Sequence, residues 1–301
     1  MPNVLNTLLD AVRTAGGFDR AVVATLATHL ESAPEDALFR MSPLHFAREK
    51  GLDERTAVEL FLHATHAGLL EFAWGVVCPG CLGFLTTHSA LKALSETRQC
   101  RLCEIDLPGC VDDNVEVAFT VSPAVRAIRL HQPERLEELR DALSLYLSPS
   151  VPVEDPLRQL LNERAMSVRL LAPEESCRVE LELAPGRYLV SVPALHSFSH
   201  LQAQEGGPAG ATLDLVEAGL VPQRAQTGTG KVALEVRNRT RRQALFSVCV
   251  DPVPPPELRG ACAPPQRTRH AFLTGKRLLS MQAFRDLFRT ESIPAQEGLE
   301  L

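Results

Sequence analysis

Two Cys-x-x-Cys pairs, CPGC at residues 78–81 and CRLC at residues 100–103, lie eighteen residues apart in this chain of 301 residues. Thiolates two residues apart can reach one ion from a single tight turn, and two such turns complete a tetrahedral site. The spacing is typical of a zinc ribbon; an iron–sulfur cluster is the alternative, because it also takes four thiolates. A closed four-cysteine site leaves no position for water. We therefore predict a structural Zn²⁺ ion held by Cys78, Cys81, Cys100 and Cys103.

The chain carries eight cysteines and a formal net charge of −6. Its N-terminus lacks the basic start, apolar block and cleavage site of a secretory signal, so we expect a cytoplasmic protein whose thiols stay reduced. Paired cysteines in that compartment favour metal over bridges. Because no apolar run approaches the roughly eighteen residues of a membrane span, we expect no membrane partner. Four cysteines have no partner spacing: Cys110, Cys177, Cys249 and Cys262.

The N-terminal part carries helix signals. Apolar residues at helical spacing predict two helices, Asn3 to Arg13 and Phe18 to Leu30. Ser42 and Pro43 are placed to begin a further helix, Gly51 to end it, and Asp53 to cap the next one. Residues 69–77 then look extended, like the first strand of a wing. The pattern predicts a helix-turn-helix and a winged-helix-like domain over residues 1–75.

Charge argues against DNA reading by this helix-turn-helix. Residues 1–75 carry six basic and ten acidic side chains, and the would-be recognition helix starts with Asp53 and Glu54. In DNA readers the first residues of that helix approach bases and phosphates, which would repel two carboxylates. We therefore interpret the domain as a protein–protein module and do not expect nucleic acid as a partner. A zinc-containing winged-helix transcriptional regulator is the alternative.

The second half changes to a period of two, which predicts a β-sandwich of short strands. The predicted strands are residues 167–171, 177–183, 187–192, 211–218, 231–238 and 243–250. Before them, Leu136 to Leu147 is predicted as a linker helix. After them, Leu273 to Thr290 is predicted as one helix with an apolar stripe at Leu278, Met281, Phe284, Leu287 and Phe288. The stripe either packs on the sandwich of its own chain or forms a dimer helix.

These predictions add up to an α+β protein: a winged-helix-like helical domain with a zinc ribbon, then a β-sandwich and a C-terminal helix. The predicted organisation is residues 1–75, winged-helix-like domain; 76–130, zinc ribbon and following strand; 131–165, linker helix and proline-rich boundary; 166–252, β-sandwich; and 253–301, proline-rich segment and C-terminal coupling helix.

No enzyme site is predicted. The run TGTGKV at residues 227–232 has Ala225 where a phosphate-binding loop needs its first glycine, and is interpreted as a hairpin turn. His88, His196 and His200 are interpreted as surface or loop side chains. The basic cluster from Arg237 to Arg242 is interpreted as a solvated hairpin end, with an anion site as the alternative.

The runs GLLEFAW and DDNVEVAFTVSPAVR around the cysteine pairs, together with MQAFRDLFRTE near the end, resemble the N-terminal region that precedes class III adenylate/guanylate cyclase domains in some bacteria. The resemblance covers nearly the whole chain. It implies a non-catalytic regulatory or sensory region, and no cyclase activity in these residues. It also implies a partner for the C-terminal helix, either the catalytic domain or a second copy of the chain. The signal that such a region senses is not implied.

Overall fold

The computed structural model describes residues 4–88, 99–100, 102–103, 105–106, 114–152, 165–251 and 270–288. The fold is mixed α+β, with helices first, then several sheets, then short C-terminal helices. The helices are α1 Val4–Gly16, α2 Arg20–Ser32, α3 Pro43–Lys50, α4 Glu54–His66, α5 Leu139–Tyr146, α6 Gly275–Ser280 and α7 Gln282–Leu287. Cys110, Cys262 and the proline-rich segment at residues 252–269 lie outside the described residues.

Fifteen strands are described, of which the first five precede α5. They are β1 Leu70–Val77, β2 Phe84–His88, β3 Gln99–Cys100, β4 Ile105–Asp106, β5 Val115–Val121, β6 Ala165–Leu171, β7 Ser176–Leu183, β8 Gly186–Val192, β9 Ser197–Ala203, β10 Gly210–Val216, β11 Gly219–Val221, β12 Arg224–Thr227, β13 Gly230–Asn238, β14 Ala244–Val250 and β15 Leu273–Thr274. Strand β9 was not among the predicted strands.

The turn between α3 and α4 forms as the sequence predicts. The Ser42 hydroxyl accepts a hydrogen bond from the His45 N–H at 3.3 Å, and the Asp53 carboxylate accepts one from the Thr56 N–H at 2.9 Å. Between the helices Gly51 has φ +66°, a left-handed conformation that costs glycine little. Local capping therefore sets the boundaries of both helices.

A four-stranded sheet of order β15-β5-β1-β2 packs with helices α1–α4. We call this sheet and the four helices the N-terminal module. Strands β1 and β5 pair antiparallel from Leu70–Val121 to Val76–Val115. Met41, just before α3, forms a bridge with Phe119 on β5. Every residue of β5 is buried: helices cover one face, and on the other Ser148 contacts Glu116.

Two further sheets face each other across one core, and we call this pair the sandwich. Their strand orders are β11-β10-β13-β7 and β12-β9-β8-β14-β6. Each strand contributes alternate side chains to it, among them Leu213, Val236 and Phe246. The turn at residues 227–230 links β12 to β13, which lie in different sheets. The hairpin predicted there is therefore wrong, and so is the one predicted from Arg237 to Arg242, which joins β13 to β14.

The central strands of the five-stranded sheet, β8, β9 and β14, are buried on both faces. The sheet's second face contacts α5 and the cysteine pairs through Leu189, Phe198, Leu245 and Cys249. The sandwich and the N-terminal module therefore meet across a layer made of α5 and the cysteine pairs.

The single helix predicted from Leu273 to Thr290 is wrong. Residues 273–274 pair with β5 as strand β15, and two six-residue helices follow, separated by Met281 with an extended backbone (φ −78°, ψ 132°). The Thr274 hydroxyl accepts from the Arg277 N–H and so caps α6. The break at Met281 lets Leu278 and Phe284 enter the same core.

The apolar side chains of α6 and α7 pack on the N-terminal module rather than on the sandwich. Phe284 is 2% exposed, and its ring lies 6.1 Å from that of Phe72 and 6.3 Å from that of Trp74. Arg277 on α6 pairs with Glu54 at the start of α4 at 3.0 Å. The segment that the sequence analysis sets apart at residues 253–301 thus supplies one strand and two helices to the core formed by the first 130 residues.

We predict that Phe284→Ala lowers the free energy of unfolding by about 3–5 kcal/mol, because it leaves a cavity against Phe72 and Trp74. Phe288→Ala is the matched control, since Phe288 is only half-buried and has less packing to lose. Urea unfolding followed by tryptophan fluorescence measures both, because Trp74 is the one tryptophan. An equal or larger loss in Phe288→Ala would contradict the packing described.

Candidate metal centre

The first cysteine pair lies in a tight turn between β1 and β2. The Cys78 N–H donates to the Gly83 carbonyl and the Leu82 N–H donates to the Cys78 carbonyl, both at 2.9 Å. Leu82 has φ +58°, which closes the turn on the side of the sulfurs. In the second pair the Cys103 N–H points at the Cys100 sulfur, at 3.3 Å. Each turn therefore directs two sulfurs to the same point, as the spacing predicts.

The four sulfurs form one buried cluster. The Sγ atoms of Cys78, Cys81, Cys100 and Cys103 all lie within 4.8 Å of one another. Cys81 and Cys100 are 3.7 Å apart, and Cys78 and Cys103 are 3.9 Å apart. A tetrahedral ion with metal–sulfur bonds of about 2.3 Å separates its sulfurs by about 3.8 Å. These distances are far longer than the roughly 2.05 Å of a disulfide. The arrangement could therefore hold a metal ion.

The four thiols cannot all ionise together unless a cation is present. Hydrogen bonds from the neighbouring thiols, that of Cys100 foremost, hold the pKa of Cys78 far below its usual value. Hydrogen bonding with Cys100, with burial adding to it, holds the pKa values of Cys81 and Cys103 well above theirs. Four negative sulfurs at this separation repel one another unless a positive ion lies between them. An ion that replaces the thiol protons supplies that charge.

Tyr146, at the end of α5, is the one side chain outside the cysteines with a described hydrogen bond to a sulfur. Its hydroxyl lies 3.1 Å from the Cys81 sulfur. Burial raises the pKa of Tyr146 well above the usual value, and the charge of Cys81 raises it further, so the hydroxyl keeps its proton and can donate it to a thiolate. A side chain at Gly83 would overlap the Tyr146 ring, which explains why a glycine follows the first cysteine turn.

The cluster lies where three parts of the fold meet. The Tyr146 ring packs edge-on against Phe198 of β9, with centroids 4.8 Å apart. His196 Nδ1 lies 2.9 Å from the Phe84 carbonyl oxygen on β2, which joins the sandwich to the strand that follows the first cysteine turn. The cysteines, α5 and the second face of the five-stranded sheet share one apolar cluster. A bound ion would therefore fasten the wing-like strands to the sandwich.

The other cysteines and histidines that the structure describes do not join the group of four sulfurs. Cys249 is fully buried, and burial raises the pKa of its thiol to about 12, in keeping with a small apolar role. Cys177 is half-buried on β7. His88 ends β2, and its side chain lies outside the described residues. His200 is not in a loop, as predicted, but on β9, where its Nδ1 lies 2.8 Å from the buried Asp251 carboxylate.

Two of the four arginines in the basic cluster pair with carboxylates. Arg237 contacts Glu235 at 3.0 Å, and Arg239 contacts Asp214 at 3.5 Å. Arg241 and Arg242 are exposed. The cluster is therefore solvent-exposed in part, but it lies in a connection between two sheets and not at the end of the predicted hairpin.

A buried ionic group that the sequence analysis missed lies between the N-terminal module and α5. Arg40 is 7% exposed, and its Nη1 donates to the Leu145 carbonyl at 2.6 Å. Burial lowers the pKa of Arg40 to about 9, while the charge of Glu116 acts in the opposite direction. Glu116 accepts a hydrogen bond from Ser148 at 2.5 Å. A single arginine before a helix gives no sequence signal of such burial.

The chain belongs to the family DUF5939, described as a family of unknown function, whose model matches residues 3–286. The match includes all four clustered cysteines and Tyr146. No curated protein and no solved structure matches the chain. Within the described residues, no helix combines the length and the apolar character needed to cross a membrane.

We predict that the purified protein contains about one metal ion per chain and that Cys81→Ser loses it, because three thiolates and a poorly donating hydroxyl bind the ion more weakly. Cys249→Ala is the matched control, since Cys249 is equally buried but lies outside the four ligands. Elemental analysis after gel filtration measures the content. Retention of the ion in Cys81→Ser, or its loss in Cys249→Ala, would contradict the assignment.

We predict that Tyr146→Phe lowers metal affinity about 10-fold or more, because it removes the hydroxyl that hydrogen-bonds a ligand. Tyr188→Phe is the control: its hydroxyl donates to the Ala184 carbonyl, within the sandwich and away from the cysteines. Competition with a colorimetric chelator measures both affinities. Equal affinities in the two variants would show that the Tyr146 hydroxyl has no effect on the ion.

Proposed function

We propose that this chain is a non-catalytic regulatory region of a bacterial class III adenylate/guanylate cyclase, built on a winged-helix domain with a zinc ribbon in its wing. The order of elements supports the winged-helix assignment. Helices α3 and α4 form a helix-turn-helix, β1 and β5 follow as an antiparallel pair, and the cysteine pairs lie in the chain between those strands. Met41 lies just before α3, and its bridge with Phe119 corresponds to the short strand that precedes the helix-turn-helix in winged-helix domains.

Zinc is the ion that we propose for the cysteine cluster. A closed set of four buried thiolates is a structural zinc site, with no position left for reactive water. An iron–sulfur cluster is less suited, because it attaches its thiolates to different iron atoms and so spreads them further apart than ligands of a single ion. The mutual Sγ separations, all within 4.8 Å, favour one ion. Elemental analysis for zinc, iron and acid-labile sulfide distinguishes the two.

The observation that carries the regulatory role is the docking of α6 and α7 on the N-terminal module. These helices contact α4 and the sheet, and Arg277 pairs with Glu54 at the start of α4. A change in the module would therefore move residues 275–288 directly. A catalytic domain that follows these residues would receive the change through them. We propose that domain as the partner, and the protein as cytoplasmic.

A second copy of the chain is the other partner that the resemblance implies. Phe284 is already buried within its own chain, so a dimer contact through α7 would use its exposed residues, such as Arg285. Analytical ultracentrifugation distinguishes a monomer from such a dimer.

The same packing disfavours the DNA-binding alternative. Helix α4 contacts α1, α3, α7 and β1, so most of its surface is covered. At its exposed start, Asp53 caps the helix and Glu54 binds Arg277, which places two carboxylates where phosphates would approach. A DNA complex that weakens steeply as salt rises would favour this alternative instead.

The gene sequence beyond codon 301 tests the cyclase proposal first: a class III catalytic domain in frame is expected, and its absence overturns the proposal.

In the full-length product we predict that Leu278→Ala changes the rate of cyclic nucleotide formation, because it loosens the docked helices. Leu213→Ala is the matched control, a leucine equally buried but in the sandwich core. The chain of residues 1–301 alone should convert neither ATP nor GTP. Turnover by that chain, or equal effects of both substitutions, would contradict the proposal.

A further inference from the structure

A cleft of about 740 Å³ opens between the N-terminal module and α5. One wall is formed by α2, residues 34–42 and α3. The other is formed by the exposed side of α5, residues 147–152 and His270. The volume lies within the range of small-molecule sites, roughly 300–1,000 Å³. The cleft does not include the cysteine cluster.

Apolar side chains form much of the lining. Phe39, Phe46, Leu143, Leu147 and Val151 all line the cleft. They come from both walls, so a ligand that filled the cleft would contact apolar surface on two sides. Apolar walls with a few placed polar groups are the usual composition of ligand sites.

Among the charged side chains that line the cleft, Arg40 is the cation whose balancing carboxylate lies outside the lining. At the rim Asp36 pairs with Arg140 at 3.7 Å and Glu49 pairs with His45 at 3.0 Å, so both carboxylates already have partners. Arg40 also lines the cleft. The negative charge of Glu116 stabilises the charged form of Arg40, but Glu116 is not among the lining residues. The floor therefore presents positive charge to a ligand, and the balancing negative charge lies behind the wall.

Arg40 is also held rigidly. Its guanidinium carbon lies 4.8 Å from the Phe39 ring centroid and 4.6 Å from that of Phe84, and one of its nitrogens is bound to the Leu145 carbonyl. Its backbone has φ +50°, which is strained for a residue with a side chain. A buried, positioned guanidinium loses little freedom when it binds an anion.

Three imidazoles also line the cleft. His29, His45 and His270 line the cleft, and the rings of His45 and His270 are 5.4 Å apart. Among the described residues the four cysteines are the one set of three or more potential ligands close enough for a metal ion, so these histidines do not form a preassembled metal site. Both ring nitrogens of His45 are already engaged, Nε2 with Glu49 at 3.0 Å and Nδ1 with Arg48 at 3.3 Å, so these rings add planar surface to the cleft.

We propose that this cleft binds a small organic anion, a carboxylate or sulfonate with an aromatic or branched apolar body. The acidic group faces Arg40, and the body lies on Phe39, Phe46 and Leu143. The cleft joins the N-terminal module to α5, so such a ligand would bridge the two. Binding does not depend on the cyclase proposal, because it requires only the residues described here.

The test uses the metal-loaded chain and the fluorescent arylsulfonate 8-anilinonaphthalene-1-sulfonate. We expect saturable binding of one probe per chain, weakened at least 10-fold by Ser144→Trp, which places a large side chain in the cleft. Ala24→Trp is the matched control, because Ala24 is an exposed residue of α2 and does not line the cleft. Binding that does not saturate, or equal binding by the two tryptophan variants, would overturn the site.

The charge of the ligand is tested separately with the neutral probe N-phenyl-1-naphthylamine. We expect it to bind at least 10-fold more weakly than the sulfonate, and Arg40→Gln to weaken the sulfonate alone. Circular dichroism and metal content test whether Arg40→Gln is folded. If this variant does not fold, the comparison of the two probes on the wild-type chain decides. Equal affinity for both probes overturns the anion assignment. Failure here leaves the gene and turnover tests unaffected, so the two proposals fail independently.

Discussion

The four buried sulfurs are the constraint on which the arrangement of the chain depends. They draw together the turn after β1 and the short strand β3, and the hydroxyl of Tyr146 attaches α5 to the same point. The second face of the five-stranded sheet packs over them through Phe198 and Cys249. Because four thiolates repel one another without a cation, an ion bound here would strengthen this junction between module and sandwich, and its binding would become part of the folding free energy.

Helix α4 uses for packing most of the surface by which a recognition helix would read DNA. Side chains of α4 enter the core from several directions, and α1 and α7 cover what remains near the sheet. A recognition helix needs an exposed face rich in cations. Here the exposed start of the helix carries Asp53 and Glu54. The packing and the charge pattern of α4 therefore both disfavour DNA reading by this helix.

Local patterns in the sequence predicted local structure well. The caps at Ser42 and Asp53 and the left-handed Gly51 depend on neighbouring residues alone, and so does the turn geometry of each cysteine pair. The misses depend on distant contacts. Strand β9 carries serines and a histidine that look like loop residues, yet they are buried because that strand is covered on both faces. The break at Met281 follows from the shape of the sheet that α6 and α7 cover, and periodicity within the segment cannot reveal it.

Strand β15 has a consequence for synthesis on the ribosome. The sheet begun by β1 is completed by residues 273–274, and Trp74 is covered by Phe284, about two hundred residues later. At translation rates of roughly 5–20 residues per second, the aromatic face of that sheet waits about 10–40 s for its cover. During that interval the nascent chain presents Phe72 and Trp74 to its surroundings. The first domain to emerge is thus among the last to be finished, and chaperones that bind exposed aromatic surface have time to engage it.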